Sequence, residues 1–75
     1  MKRPRTKLER RRYIAARMIL LGLTQGEIAE ELGVSTSLVG MVAMGERRNP
    51  RIKEAIRARL NVGYKWLWGE EREAA

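Results

Sequence analysis

The chain has 75 residues, enough for one small domain, and sets 16 lysines and arginines against 9 acidic residues for a net charge of +7. It contains no cysteine and no histidine, which removes disulfide staples, thiolate zinc sites and most nucleophile–base pairs, and its scattered glutamates form no acid–base constellation. The longest apolar run, Met18 to Leu23, is too short to cross a bilayer or to serve as a signal peptide, so an enzyme, a metalloprotein and a membrane protein are all disfavoured.

The charge is unevenly placed. Lys2, Arg3, Arg5, Lys7, Arg10, Arg11, Arg12 and Arg17 all precede Met18, with Glu9 alone against them. Such a front-loaded excess is an electrostatic footprint for a polyanion. Residues 1–7, MKRPRTK, lack apolar periodicity, and Pro4 disfavours a helix there. They are expected to form a flexible basic arm. Lys2, Arg3, Arg5 and Lys7 would then reach phosphates or a minor groove, or merely solubilise the terminus.

A first helix is predicted over residues 8–21. At 100° per residue Ile14, Met18 and Leu21 share one face, assigned to the core. Tyr13, Ala16 and Leu20 fall nearly opposite, where a lone amphipathic helix stays polar. Either the C-terminal segment or a second subunit must cover that side. Tyr13, Leu20 and Trp66 are therefore the expected dimer interface. Gly22 ends this helix, and Leu23 is expected to be buried.

Thr24 then reads as an N-cap, with Glu27 completing a capping box. Ile28, Ala29 and Leu32 line one face of a short helix that Gly33 stops in the left-handed conformation. Val34 follows as an apolar pin and Ser35 as a second N-cap. Leu38, Val39 and Val42 supply the apolar positions of the next helix, which Gly45 ends. Two helices crossing steeply over so tight a turn need a small residue at their contact, and Ala29 supplies it. Val39 and Val42 face back onto the preceding helix, leaving Thr36, Ser37, Gly40 and Met41 outside. This is the geometry of a helix-turn-helix.

Beyond Gly45, Asn49 is a good N-cap and Pro50 a good first residue for a fourth helix. Ile52, Ala55, Ile56 and Leu60 form its core stripe, and Arg57 and Arg59 are expected in solvent. Asn61 suits a left-handed C-cap. A last short helix runs from Tyr64 to Trp68, with Leu67 and Trp68 in the core and Trp66 more exposed. Residues 70–75 are expected to fray.

Gln25, Ile28, Ala29, Leu32, Gly33, Val34, Ser35, Val39, Val42 and Gly45 resemble the pattern Q-x-x-[IL]-A-x-x-[LI]-G-V-S-x-x-x-V-x-x-V-x-x-G of small bacterial and phage regulators with a lambda-repressor-like domain. The continuation GERRNPRIKEAIRARLNVGYKWLWGE is similar to the tail of short phage regulators of the Ner type. The resemblance spans about residues 12–69. It implies an all-α, compact four- to five-helix lambda-repressor-like domain over residues 8–69, between the arm and a frayed acidic tail. It further implies that residues 35–44 form a recognition helix, with Ser35, Thr36, Ser37, Gly40 and Met41 facing bases. Gln25, Arg47, Arg48, Arg51 and Lys53 would hold phosphates.

That helix departs from the usual chemistry, because base readout normally uses Arg, Lys, Asn or Gln. Thr36, Ser37, Gly40 and Met41 include none of these, which suggests modest specificity aided by DNA shape and flanking basic groups. The expected function is a double-stranded DNA-binding transcriptional regulator, a phage or prophage repressor. It would occupy its operator as a homodimer in the bacterial cytoplasm, with no catalysis, cofactor, small-molecule ligand or membrane partner. Two rivals stand beside it. One is a low-specificity nucleoid-like or recombination accessory protein; the other is an antitoxin or adaptor module that reuses the fold to bind protein.

Overall fold

Among the described residues, four of the five helices open on a side chain that accepts a backbone N–H. The computed structural model describes residues 2–70. Helix α1 (Lys7–Leu21) is capped by Thr6, α2 (Gln25–Leu32) by Thr24, α3 (Thr36–Met44) by Ser35 and α4 (Pro50–Leu60) by Asn49; α5 (Tyr64–Trp68) starts at Gly63 without a side-chain cap. At α1 the box is reciprocal. Thr6 Oγ1 accepts from the Glu9 N–H at 3.0 Å, and Glu9 Oε1 accepts from the Thr6 N–H at 3.2 Å and the Arg5 N–H at 2.9 Å. This satisfies donors that a helix end leaves orphaned and starts α1 one residue earlier than expected. At Thr24 only the hydroxyl half of the expected box is formed.

Every helix ends on a left-handed residue, and at two the choice of residue decides the fold. Gly33 (φ 69°) reverses the chain between α2 and α3, a conformation that costs a residue with a Cβ about 1–2 kcal/mol. Asn61 (φ 58°) is the one non-glycine residue with positive φ among those described, as its position after Leu60 implied.

The all-α core draws on every helix: Ile14 and Met18 from α1, Ile28 and Ala29 from α2, Val39, Val42 and Ala43 from α3, Ile52, Ile56 and Leu60 from α4, and Tyr64, Leu67 and Trp68 from α5. Helix α3 sits centrally, packed against α1, α2 and α4. No polar or charged residue is buried among the described residues, so apolar burial is the main stabilising term. No described helix is long and apolar enough to cross a membrane.

Four expectations change. Leu21 is 44% exposed rather than in the core. The helix closes through Leu23 N–H bonding back to the Met18 carbonyl at 2.9 Å, which folds Leu23 onto the core in its place. The back of α1 is shared out differently too. Tyr13 meets Trp66 edge-on, with ring centroids 5.1 Å apart, so α5 covers that half within one chain. Leu20 stays 77% exposed beside Ile19 at 80%.

The third change concerns the arm. Pro4 is buried, and Arg3 Nε donates to the Trp66 carbonyl at 2.9 Å, so this strand of chain lies on α5 instead of hanging free. The last turn of α5 leaves carbonyls unsatisfied, and a guanidinium is a strong donor for them. At the other end, Glu70 is ion-paired with Lys53 rather than frayed. Met1 and the rest of the tail expected to fray, residues 71–75, lie outside the described residues.

Candidate nucleic-acid interface

Helices α2 and α3 meet across the Gly33 turn with Ala29 and Val39 both buried between them. Their N-termini lie side by side. A Cβ on Gly26 would stand 3.7 Å from Thr24 Oγ1 and 3.9 Å from Thr36 Oγ1. Two helix N-termini on one side present aligned N–H groups and partial positive charge to any anion there. Gln25, the first residue of α2, lays its side chain over Gly40, with Oε1 3.1 Å from where a Cβ would be.

On the free side of α3, Ser35, Thr36 and Ser37 are exposed, while Gly40 and Met41 are half-buried. The outer surface of α3 is thus built of small or uncharged side chains. The loop after α3 is held to it: the Glu46 N–H bonds to the Met41 carbonyl at 2.9 Å and the Arg47 N–H to the same carbonyl at 3.4 Å. Arg47, Arg48 and Arg51 are exposed around this loop and the start of α4. Lys7 joins them from α1, its methylenes within 3.4 Å of a Cβ position on Gly45.

A helix-turn-helix family model matches residues 14–63, two thirds of the chain. The chain belongs to this family. Comparison with curated proteins and with solved structures gives no match. The family is one of DNA-binding regulators, which implies binding to double-stranded DNA.

Within the helix-turn-helix domain the predicted site residues divide. The structure brings Gln25 over Gly40, sets Arg47 and Arg48 in the loop after α3 and leaves Arg51 exposed in the first turn of α4. It does not leave Lys53 facing outward. That side chain is only 14% exposed, its Nζ bonds to Glu70 Oε1 at 2.7 Å, and it stands 5.4 Å from the Trp68 ring centroid. Among the arm residues, Arg3 is engaged on α5 while Lys2 and Arg5 are exposed. Arg57 and Arg59 are not simply solvated: the Arg57 Nη2 bonds to Glu54 Oε1 at 2.8 Å, and Arg59 pairs with Glu31 of α2.

Two residues of the region escaped the sequence reading. Arg10 Nε donates to the Leu67 carbonyl at 2.8 Å and its Nη2 to the Trp68 carbonyl at 3.3 Å. Burial, then the charge of Arg3, lowers its pKa from the usual guanidinium range. Glu70 is the other, its pKa lowered first by the hydrogen bond from Lys53. Neither had a local signal, since their partners lie 57, 58 and 17 residues away.

Proposed function

We propose that this helix-turn-helix protein is a sequence-specific transcriptional repressor of the phage or prophage Ner type, acting in the bacterial cytoplasm by occupying its operator. The observation that carries this reading is the helix-turn-helix itself, with the exposed start of α3 followed by the exposed arginines of the loop after it. Ser35, Thr36, Ser37, Gly40 and Met41 read base edges through hydroxyls and methyl contact. Gln25, Arg47, Arg48 and Arg51 hold phosphates and fix the register. Lys2 and Arg5 add sequence-independent affinity.

The protein binds as a homodimer with recognition helices about 34 Å apart. Its contact centres on Ile19 and Leu20, the most exposed large apolar side chains of α1 at 80% and 77%, and not on the Tyr13–Trp66 pair. A second reading, a low-specificity accessory protein, draws on the absence of Arg, Lys, Asn or Gln from the outer face of α3.

Selection from random duplexes, followed by binding titrations, tests the two. A repressor prefers its selected site over random DNA by at least about 10³-fold. A smaller ratio favours the accessory protein. Light scattering on the selected complex gives two chains per site for the dimer; one chain per site removes that part.

A further inference from the structure

Between the first turn of α1, the α3–α4 loop and the end of α5 lies an open cleft of about 350 Å³. Its walls carry Lys7, Arg10, Arg47, Arg48 and Lys53 against Glu46 and Glu70, five positive charges to two negative, a net of +3. Val42 and Trp68 are its apolar lining. We propose that this cleft is a phosphodiester site for the backbone of bound DNA, and that the Glu70 carboxylate is its intramolecular stand-in, which a DNA phosphate displaces.

The inference rests on the DNA-binding reading and goes beyond it by assigning the cleft and its resident anion. A carboxylate and a phosphodiester each offer one negative charge and two acceptor oxygens, so groups arranged for one suit the other. The cations are held in place. Trp68 Nε1–H donates to the Lys53 carbonyl at 3.2 Å, and the Lys53 ammonium and Arg10 guanidinium lie 5.4 and 5.9 Å from the Trp68 ring centroid. Arg10 is fixed further by its bonds to the Leu67 and Trp68 carbonyls.

The cleft is also correctly placed. Its loop wall is bonded to the Met41 carbonyl of α3, so a duplex that receives α3 in its major groove carries a phosphate backbone past this end of the helix. Glu70, by contrast, can leave. Its side chain is 40% exposed and follows the left-handed Gly69 at the end of α5, and a partly exposed ion pair is weakly held.

The test compares the parent with Glu70→Gln, and with Glu30→Gln as a control that changes net charge equally on α2. Affinity for a selected and a random duplex is measured across a salt series. Glu70→Gln is expected to tighten both by about threefold or more at low salt while the salt slope stays close to the parent's, because the same phosphates are neutralised in both. Lys53→Met should cancel the gain.

In parallel, inorganic phosphate is titrated while the Trp68 indole N–H resonance is followed, assigned with Trp66→Phe. Phosphate should shift that resonance at lower concentration in Glu70→Gln than in the parent. A gain matched by Glu30→Gln, or an indole resonance that phosphate leaves unmoved in Glu70→Gln, overturns the proposal. A parent that binds neither duplex refutes the DNA-binding reading instead, and the phosphate titration then decides the cleft alone.

Discussion

The side chain of Gln25, at the start of α2, lies across Gly40 in the middle of α3, so closely that a Cβ there would stand 3.1 Å from its Oε1. Glycine in a helix interior costs about 1 kcal/mol relative to alanine. Its presence therefore trades helix stability for a seat beneath Gln25. Gly40→Ala is expected to melt within about 1 kcal/mol of the parent, since the propensity gain is offset by pushing aside one flexible amide. DNA affinity should fall nonetheless, because the Gln25 amide is pushed from its position over Gly40. Thermal melts and fluorescence anisotropy on the same variant check both halves.

Arg47 and the outer face of α3 are expected to separate affinity from specificity. Arg47→Ala should weaken operator and random DNA alike and lower the salt slope by roughly 0.9. Ser37→Ala or Met41→Ala should change the preferred sequence with little change in slope. A shifted preference in Arg47→Ala with an unchanged slope would reverse these roles.

The Gly33 turn and the Ala29 crossing make the motif mechanically. Nothing lies within 4 Å of a Cβ at Gly33, so Gly33→Val is penalised through its φ of 69° alone, by more than about 1 kcal/mol. Ala29, 3% exposed, has no room, and Ala29→Leu should cost about 1–3 kcal/mol by overpacking. Denaturant melts of either variant that overlay the parent would contradict this account of the turn.

Removing residues 1–5 should lower stability as well as DNA affinity. The Arg3 bond to the Trp66 carbonyl and the burial of Pro4 are both lost, along with the Arg5 N–H that Glu9 accepts. A net loss of about 1 kcal/mol per hydrogen bond is expected. Arg3→Ala alone should reproduce part of it, which a thermal melt measures directly.

Two carboxylates give the fold an acid limit. The backbone N–H groups of Arg5 and Thr6 hold the Glu9 pKa below the ordinary range, and the Lys53 hydrogen bond does the same for Glu70. A carboxylate whose folded pKa is depressed stabilises the fold fully above its unfolded value and loses that contribution as pH falls through the folded one. The melting temperature should thus be nearly flat from about pH 8 to 5.5 and decline below about 4.3, the ordinary glutamate value. Histidine, the side chain that normally titrates between those limits, is absent. Glu9→Gln should lower the plateau and shallow the acid decline in calorimetric scans across pH.

Local sequence was enough for what depends on near neighbours. Thr24, Ser35 and Asn49 cap the helices they precede, Gly33 and Asn61 take the left-handed turns, and the spacing of Ile28, Val39, Val42, Ile52 and Ile56 marks one buried face per helix. These interactions close within a few residues, so propensity and periodicity carry them. Tertiary structure alone decided which surface survives for binding. Trp66 covers Tyr13, Leu23 displaces Leu21 from the core, Arg3 and Arg10 close the carbonyl end of α5, and Glu70 takes Lys53 from the outer face. Each of those pairings, apart from the turn at Leu23, joins residues distant in the chain. A long basic side chain reads the same in sequence whether it meets solvent, a phosphate or a helix end, because only the packed helices determine which acceptor lies within its reach.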